Sequence, residues 1–505
     1  MRKVRLLVAL AFVLLCAGPS TAQEADAPER PTVHVYLAGQ DQLDAALRGS
    51  GLPDLANLIA TAFDFGGLVP PATRDRRLPT AAYRTMRDNA RPSDRLALVP
   101  LLRGAAPVEE LRQQWNGQPV PGQPDAFITP ANVHVWRTPD YVWFGGTPQQ
   151  RAQQTERDLF DKATRNPNLL AEAAFDLDAF RQTAPKTFTA LFGAPGEAMP
   201  GRDRLGNPLS SAVATVMTRY MRDSLHGLSA SLSADGADLQ AKVVATGYEV
   251  PPADIKRPRP VFPTGTTVRL DMLYGRTQFV RGFDLLCKTV IREADKQAGR
   301  KLGLEEVFDV GQQLLRPGFG DAVSLGYRPI GQSWVLYGVV QRDALDQFAA
   351  EVPDIERGLN TFLPTKDHFV QRSSYLTQDG LRVDRLTIGH ADNELAHIDL
   401  LPAPKLKRLL FTISPSPEKR VEPLTAVPDR GQIAAVAELD TTVPGLFALV
   451  EKLGGSGLPA DYKADGPERL RCTLTTDGKA LTLLISTPLR TAGSLVRIFG
   501  LADIP

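Results

Sequence analysis

Between Val250 and Gly265 the chain reads VPPADIKRPRPVFPTG, with prolines at Pro251, Pro252, Pro258, Pro260 and Pro263. Each proline fixes φ and lacks a backbone donor, so so dense a stretch is expected to continue neither a helix nor a central strand. Residues 251–265 are therefore read as a proline-rich linker. On that reading a first domain occupies 23–250 and a second 266–505, in a chain of 505 residues. The near equality of the two parts prompts a search for duplication.

Three segments share one pattern: 229–244, 374–388 and 472–486. Each is a polar or alternating strand, then Asp-Gly, then a second strand, with the pairs at Asp235-Gly236, Asp379-Gly380 and Asp477-Gly478. Asp-Gly supplies the positive φ angles of a tight hairpin turn. A second element recurs at Leu177-Asp178, Leu270-Asp271 and Leu439-Asp440, where an apparent strand gives way to a helical pattern. Aspartate at such a junction is expected to cap the helix by accepting from its first free N–H groups. Further hairpins are read over Ala131 to Phe144, followed by a helix from about Thr147 to Lys162, and over Ala322 to Val340.

Strands joined by short turns imply antiparallel sheets, and interspersed helices must cover a face of them. The expected fold class is α+β: antiparallel sheets covered by helices, with repeated strand-turn-strand-helix units in two related halves. In each half a Leu-Asp element precedes the Asp-Gly hairpin that closes it. In general shape the chain is similar to large exported bacterial proteins with repeated strand–strand–helix units, a likeness of architecture that carries no function or residue across.

The opening MRKVRLLVALAFVLLCAGPSTAQ has the order of a secretory signal: a basic start at Arg2, Lys3 and Arg5, an apolar run from Leu6 to Cys16, and small residues at Ser20-Thr21-Ala22. The run is shorter than the roughly 20 residues that anchor a helix in a bilayer. Residues 1–22 are read as a cleaved signal peptide, and the protein as exported: periplasmic, cell-envelope or extracellular. Leu15 stands where a lipidation signal needs a small residue before Cys16, so an ordinary cleaved signal is the preferred reading. Loss of residues 1–22 lowers the formal charge from +1 to −2. Near neutrality gives no footprint for nucleic acid, and no later run is apolar enough to span a membrane as a helix.

Two cysteines remain. Cys287 shares a helical stripe with Phe283, Leu286 and Ile291, and Cys472 alternates with Leu470 and Leu474. Both are read as core-facing thiols rather than a disulfide.

Candidate chemistry is sparse. His390, Asp392, Glu394, His397 and Asp399 form the one histidine cluster, and a turn at 392–394 could bring the imidazoles together across a hairpin as metal ligands. The spacing matches no metal signature, and a polar hairpin explains it as well. His34 and His134 both occur as Val-His-Val and are read as the outer side of half-buried strands. Asp223, Ser224 and His226 are adjacent in sequence, which is poor ground for a triad. Gly331-Gln-Ser333 lacks the final glycine of a nucleophile elbow. Gly318-Phe-Gly320 lacks the third glycine of a dinucleotide loop, and Gly454 to Gly457 is read as a helix stop. Trp136, Tyr141, Trp143 and Phe144, and separately Tyr327, Trp334 and Tyr337, are read first as core.

No catalytic, cofactor-binding or metal residue is assigned, and no cofactor. The expected function is that of an exported, non-enzymatic binding or envelope-associated protein whose partner is an unknown protein or envelope component. Two alternatives stand beside it: a carrier of an apolar ligand or lipid, and a metal-assisted hydrolase using His390 and His397.

Overall fold

A computed structural model of the chain describes residues 31–50, 71–89, 95–105, 107–145, 149–192, 212, 215–216, 219, 222–247, 256–273, 276–301, 322–342, 345, 348–362, 367–418, 421, 424, 428–452, 458 and 468–492. The chain forms two compact units. The first holds 1–199, 222–248 and 484–505; the second holds 200–221 and 249–483. The signal-like segment lies outside the described residues, as do Gly318, Gly320 and Gly454 to Gly457.

In the first unit the elements are β1 (Val33–Leu37), α1 (Gln40–Leu47), β2 (Thr80–Arg84), β3 (Arg95–Pro100), α2 (Val108–Gln114), β4 (Gln118–Val120), β5 (Gln123–Ile128), β6 (His134–Arg137), β7 (Tyr141–Gly145), α3 (Gln149–Arg165), β8 (Leu169–Asp176), α4 (Leu177–Thr183), α5 (Pro185–Phe192), β9 (Gly227–Asp235) and β10 (Asp238–Thr246). Pairing is antiparallel, in the order β4-β5-β6-β7-β3-β2-β1-β8-β9-β10. The middle of this sheet is covered on both faces. Tyr36, Leu98, Trp136, Tyr141 and Trp143 pack with Leu43 and Leu47 of α1 and Leu159 of α3. Val99, Phe127, Val135, Val142 and Phe144 pack with Leu111 of α2. Neighbours such as Leu98 and Val99 go to different cores because strand side chains alternate. Two-sided burial is why β7, Tyr-Val-Trp-Phe-Gly, is buried throughout.

The second unit contains β11 (Arg257–Pro260), β12 (Val268–Leu273), α6 (Arg276–Ala298), β13 (Ala322–Ile330), β14 (Ser333–Gln341), α7 (Phe348–Phe362), β15 (His368–Leu376), β16 (Arg382–His390), β17 (Asn393–Ala403), β18 (Arg408–Ser414), β19 (Asp429–Ile433), β20 (Ala437–Thr442), α8 (Val443–Lys452) and β21 (Arg469–Thr476). The chain then turns at Asp477 into β22 (Ala480–Pro488), within which the second unit ends. Antiparallel neighbours run β15-β16-β17-β18-β14-β13-β12-β20-β21. Phe348 and Val352 of α7 pack on Val340, Val370, Leu386 and Leu400. On the other face Phe262, Val421 and Leu424 cover Tyr337, Val339, Leu401 and Leu410.

The α+β class and antiparallel hairpins expected from sequence are present. All three Asp-Gly pairs sit at turns, with φ of +61° at Gly236, +75° at Gly380 and +92° at Gly478. Two local readings change. Arg257–Pro260, inside the stretch read as a linker, is a strand paired with β19. Proline is admissible there because β11, among the described residues, pairs on one side only. The Leu-Asp elements also differ from caps: Asp271 and Asp440 lie within β12 and β20. At the first site the cap is Asp176, whose Oδ1 accepts from Ala179 N at 2.8 Å. A strand that carries its aspartate against arginines satisfies the carboxylate without a helix.

Gly338 on β14 lies opposite Phe411 of β18, and a Cβ at Gly338 would come within 2.0 Å of that ring. Gly338→Ala is therefore expected to displace Phe411 from the α7-side core and to lower stability by about 1–3 kcal/mol in urea unfolding.

Candidate functional site

Glu172 interrupts the apolar run of β8 and faces the helix-covered side of the first unit's sheet. Its Oε1 lies 2.9 Å from Nε2 of His34 on β1 and 2.5 Å from Nζ of Lys162 on α3. Tyr36 sits directly opposite Glu172 in register, and Tyr83 opposite His34. The Lys162 ammonium also stands 5.1 Å from the centroid of the Tyr36 ring. His34 and Tyr83 stack with centroids 6.0 Å apart.

The hydrogen bond with His34, reinforced by Lys162, outweighs burial and holds the Glu172 carboxyl at about 2. Burial, and next the charge of Glu172, pushes the Tyr36 phenol up to about 12. Burial likewise lifts Tyr83 to about 12. Both phenols are thus neutral hydrogen-bond donors in neutral solution. The Tyr36 hydroxyl is buried with no hydrogen-bond partner. Chemically the cluster is a fixed anion between an ammonium and an imidazole, bordered by two phenols. It ties α3 to β1 and β8.

One and a half turns earlier on α3, Glu156 accepts from Trp143 Nε1 at 2.6 Å and from Thr138 Oγ1 at 2.8 Å. Burial raises this carboxyl above its ordinary value, against the two hydrogen bonds that lower it. Two glutamates, one on α3 and one on the strand beneath it, therefore have environments that drive them apart in acidity.

The second unit carries a counterpart without a titratable base. Glu438 on β20 sits opposite the buried Asp271 on β12. Asp271 accepts from Arg269 Nε at 2.7 Å and from Ser324 Oγ at 2.6 Å. Arg259 and Arg471 both donate to Glu438, the latter at 2.6 Å. Burial raises the Glu438 carboxyl, but the two guanidiniums more than reverse this and hold it low. Guanidiniums stay charged, so this is a stable ionic lattice rather than a proton relay.

The sequence candidates fall elsewhere. His390 and His397 do not meet. His397 is opposite Thr387 and His390 opposite Asn393, an odd number of residues apart on β16, so the imidazoles lie on opposite faces. His390 is exposed and stands edge-on to His368, with centroids 4.6 Å apart. His397 is buried, with Nδ1 at 3.2 Å from Thr387 Oγ1. Its Nε2 has no hydrogen-bond partner, and Glu394 Oε2 approaches only to 3.5 Å. Burial, then the neighbouring Arg385, pushes this imidazole's pKa down. Asp399 is occupied by Arg385 at 2.6 Å and by the Tyr375 hydroxyl at 2.8 Å. No group of three metal-ligating side chains occurs among the described residues.

His226 pairs with Asp178 at 2.8 Å, whereas Asp223 pairs with Arg222, so the adjacent trio is divided between partners. Cys287 and Cys472 are not joined by a disulfide, and each is half-buried. His134 stacks on Trp136 with centroids 5.6 Å apart. His34 is half-buried on the sheet face that also carries Tyr36 and Glu172, and reaches α3 only through the Glu172 carboxylate that Lys162 shares. The signal for the cluster was present in Leu169-Leu-Ala-Glu172-Ala-Ala-Phe175, where one carboxylate breaks an apolar strand. A hollow beside α2, lined by Val108, Glu109, Arg112, Val120 and Gln123, is open to solvent.

No protein-family model matches the chain. No curated protein matches it either. Among solved structures the chain is similar to crystal form I of TP0453 at 10% identity and a TM-score of 0.21, over 43% of this chain and 76% of that one. Against crystal form III of TP0453 the values are 12% and 0.23, over 50% of this chain and 99% of that one.

Two tests probe the cluster. Glu172 has its pKa depressed in the folded chain, so its contribution is full above about pH 4.5 and is lost as pH falls toward about 2. Glu172→Gln is expected to cost on the order of 2 kcal/mol at neutral pH and to flatten the acid limb of a stability–pH curve. For Glu156 the sign is opposite. Glu156→Gln keeps both acceptor bonds and removes a buried charge, so it should leave stability unchanged or higher at pH 7. Glu156→Leu strands the Trp143 N–H and should cost about 1–3 kcal/mol by calorimetry.

Proposed function

We propose that the chain is an exported, envelope-associated binding protein built from two related halves, working through its surfaces rather than by catalysing a reaction. What supports the two-halves reading is the order of strands. β1 lies between β2 and β8 as β12 lies between β13 and β20. β3 pairs with β7 as β14 pairs with β18, and each pair is flanked by a meander, β4 to β7 or β15 to β18. α2 follows β3 as α7 follows β14, and α4 and α8 precede the hairpins β9–β10 and β21–β22.

The register agrees as well. Glu172 faces Tyr36 across β8 and β1, and Glu438 faces Asp271 across β20 and β12. Both glutamates accept from cations delivered by the segment between the meander and the following strand, or by neighbouring strands. Asp235-Gly236 and Asp477-Gly478 close equivalent hairpins. Asp379-Gly380 falls outside the correspondence, because its counterpart is the β4–β5 turn. In that account the first domain is 23–250 and the second 266–505, with the last strands of each half completing it.

Duplicated modules present the same surface twice, which favours extended or bivalent binding over a single reaction centre. Export rests on the N-terminal order of charges, apolar run and small residues. No helix among the described residues is long and apolar enough to cross a membrane.

Expression of the full chain in a bacterium with two membranes tests the reading. The expected product starts at Gln23 by mass spectrometry and fractionates with the periplasm or envelope. An uncleaved chain in the cytoplasm sinks it.

A further inference from the structure

The β15–β18 meander ends in two adjoining turns that carry leucines outward among cations. β15 ends at Leu376 and β16 begins at Arg382; β17 ends at Ala403 and β18 begins at Arg408. The pairs Asp384–Leu400 and Ala403–Arg408 put both turns at the same end of the sheet. Leu376, Leu381 and Leu406 are 63%, 38% and 46% exposed. Arg382, Lys405 and Lys407 are exposed beside them, and Asp379 is the one acidic residue in the two turns.

The turns are internally tied. Thr377 N donates to Leu381 O at 2.8 Å and Lys407 N to Pro404 O at 3.0 Å. Leu381 N donates to Thr377 Oγ1 at 3.0 Å. Gly380 and Lys407 take positive φ, +75° and +54°. The backbone thus holds the leucines away from the core, where α7 and the strands already fill the space.

We infer that this turn end is a docking surface for an anionic lipid bilayer. A single exposed leucine is ordinary, but three in adjoining turns among cations form a patch that calls for a covering. Its two chemistries match the two layers of a membrane interface. Leucine side chains enter the acyl boundary, while Lys405, Lys407 and Arg382 reach the phosphates above it. Long cationic side chains serve this geometry because their stems are apolar and their heads are not. The surface is made of two turns with exposed leucines, which suits insertion between headgroups. The two lysines of the turns exceed Asp379 in charge and select anionic lipid, while Arg382 adds reach rather than net charge because its Nη2 lies 3.4 Å from Asp384. This deepens the envelope-associated reading and rests on it for the encounter with lipid.

Sedimentation of the purified full chain with phosphatidylcholine vesicles, with and without about one third phosphatidylglycerol, tests the assignment. Binding is expected to be at least about tenfold tighter to the anionic vesicles and to weaken as salt rises. Lys405→Glu with Lys407→Glu, and separately Leu376→Ser with Leu381→Ser, should each lower it about tenfold while thermal melting is retained. Lys452→Glu on α8 serves as a charge control and should bind as the parent does. Equal binding to neutral vesicles overturns the assignment, as does binding that both double variants leave intact. Absence of vesicle binding, with a protein partner held through the same turns, also overturns it. An envelope location together with unaltered vesicle binding in the variants sinks this assignment alone. A cytoplasmic chain whose vesicle binding still depends on the turns sinks the exported reading alone.

Discussion

A sheet strand covered on both faces has no solvent side on which to leave a charge. That constraint governs the centre of each unit. Where β1, β8, β12 and β20 carry carboxylates, each one is engaged: Glu172 by His34 and Lys162, Asp176 by Ala179 N, Asp271 by Arg269 and Ser324, Glu438 by Arg259 and Arg471, Asp440 by Arg469. Removing one partner from such a group leaves a buried charge, which costs more than the pair itself contributes. The networks consequently specify which segment lies over which strand. α3 carries the cation in the first unit, and β11 supplies one in the second.

The same constraint separates the two units chemically. In the first, the partners include an imidazole, and Glu156 nearby is held less acidic than usual while Glu172 is held more so. In the second, guanidiniums from β11, β12 and β21 answer the carboxylates, and their charge does not respond to pH. Each unit sets a glutamate across a central strand pair, Glu172 opposite Tyr36 and Glu438 opposite Asp271, and answers it with different cations. The covering segment differs too: a helix in one unit, a two-stranded ribbon in the other.

Much of the local structure was legible. Asp235-Gly236, Asp379-Gly380 and Asp477-Gly478 mark turns because positive φ is costly for most residues and cheap for glycine. The helix after Phe144 and the alternating strands around Tyr327 and Trp334 follow from their periods. Of the candidate cluster only Glu172 left a local mark, as the one carboxylate in the apolar run from Leu169 to Phe175; its assembly with His34 and Lys162 was not legible, since the three lie on separate elements and His34 is far from the others in sequence. The histidine pair failed for the converse reason. His390 and His397 are close in sequence, but strand alternation and the bulge between Ile388 and Gly389 set their side chains on opposite faces.

By itself the sequence determined the turns, the alternation, the antiparallel α+β class and the signal-like opening, because each depends on residues near one another in the chain. Only the tertiary structure decided that the proline stretch pairs as a strand, that Asp271 and Asp440 sit within strands rather than at caps, and which cation answers which carboxylate. Those outcomes depend on what covers each sheet face. Coverage is set by segments scores of residues away, whose approach no local pattern encodes.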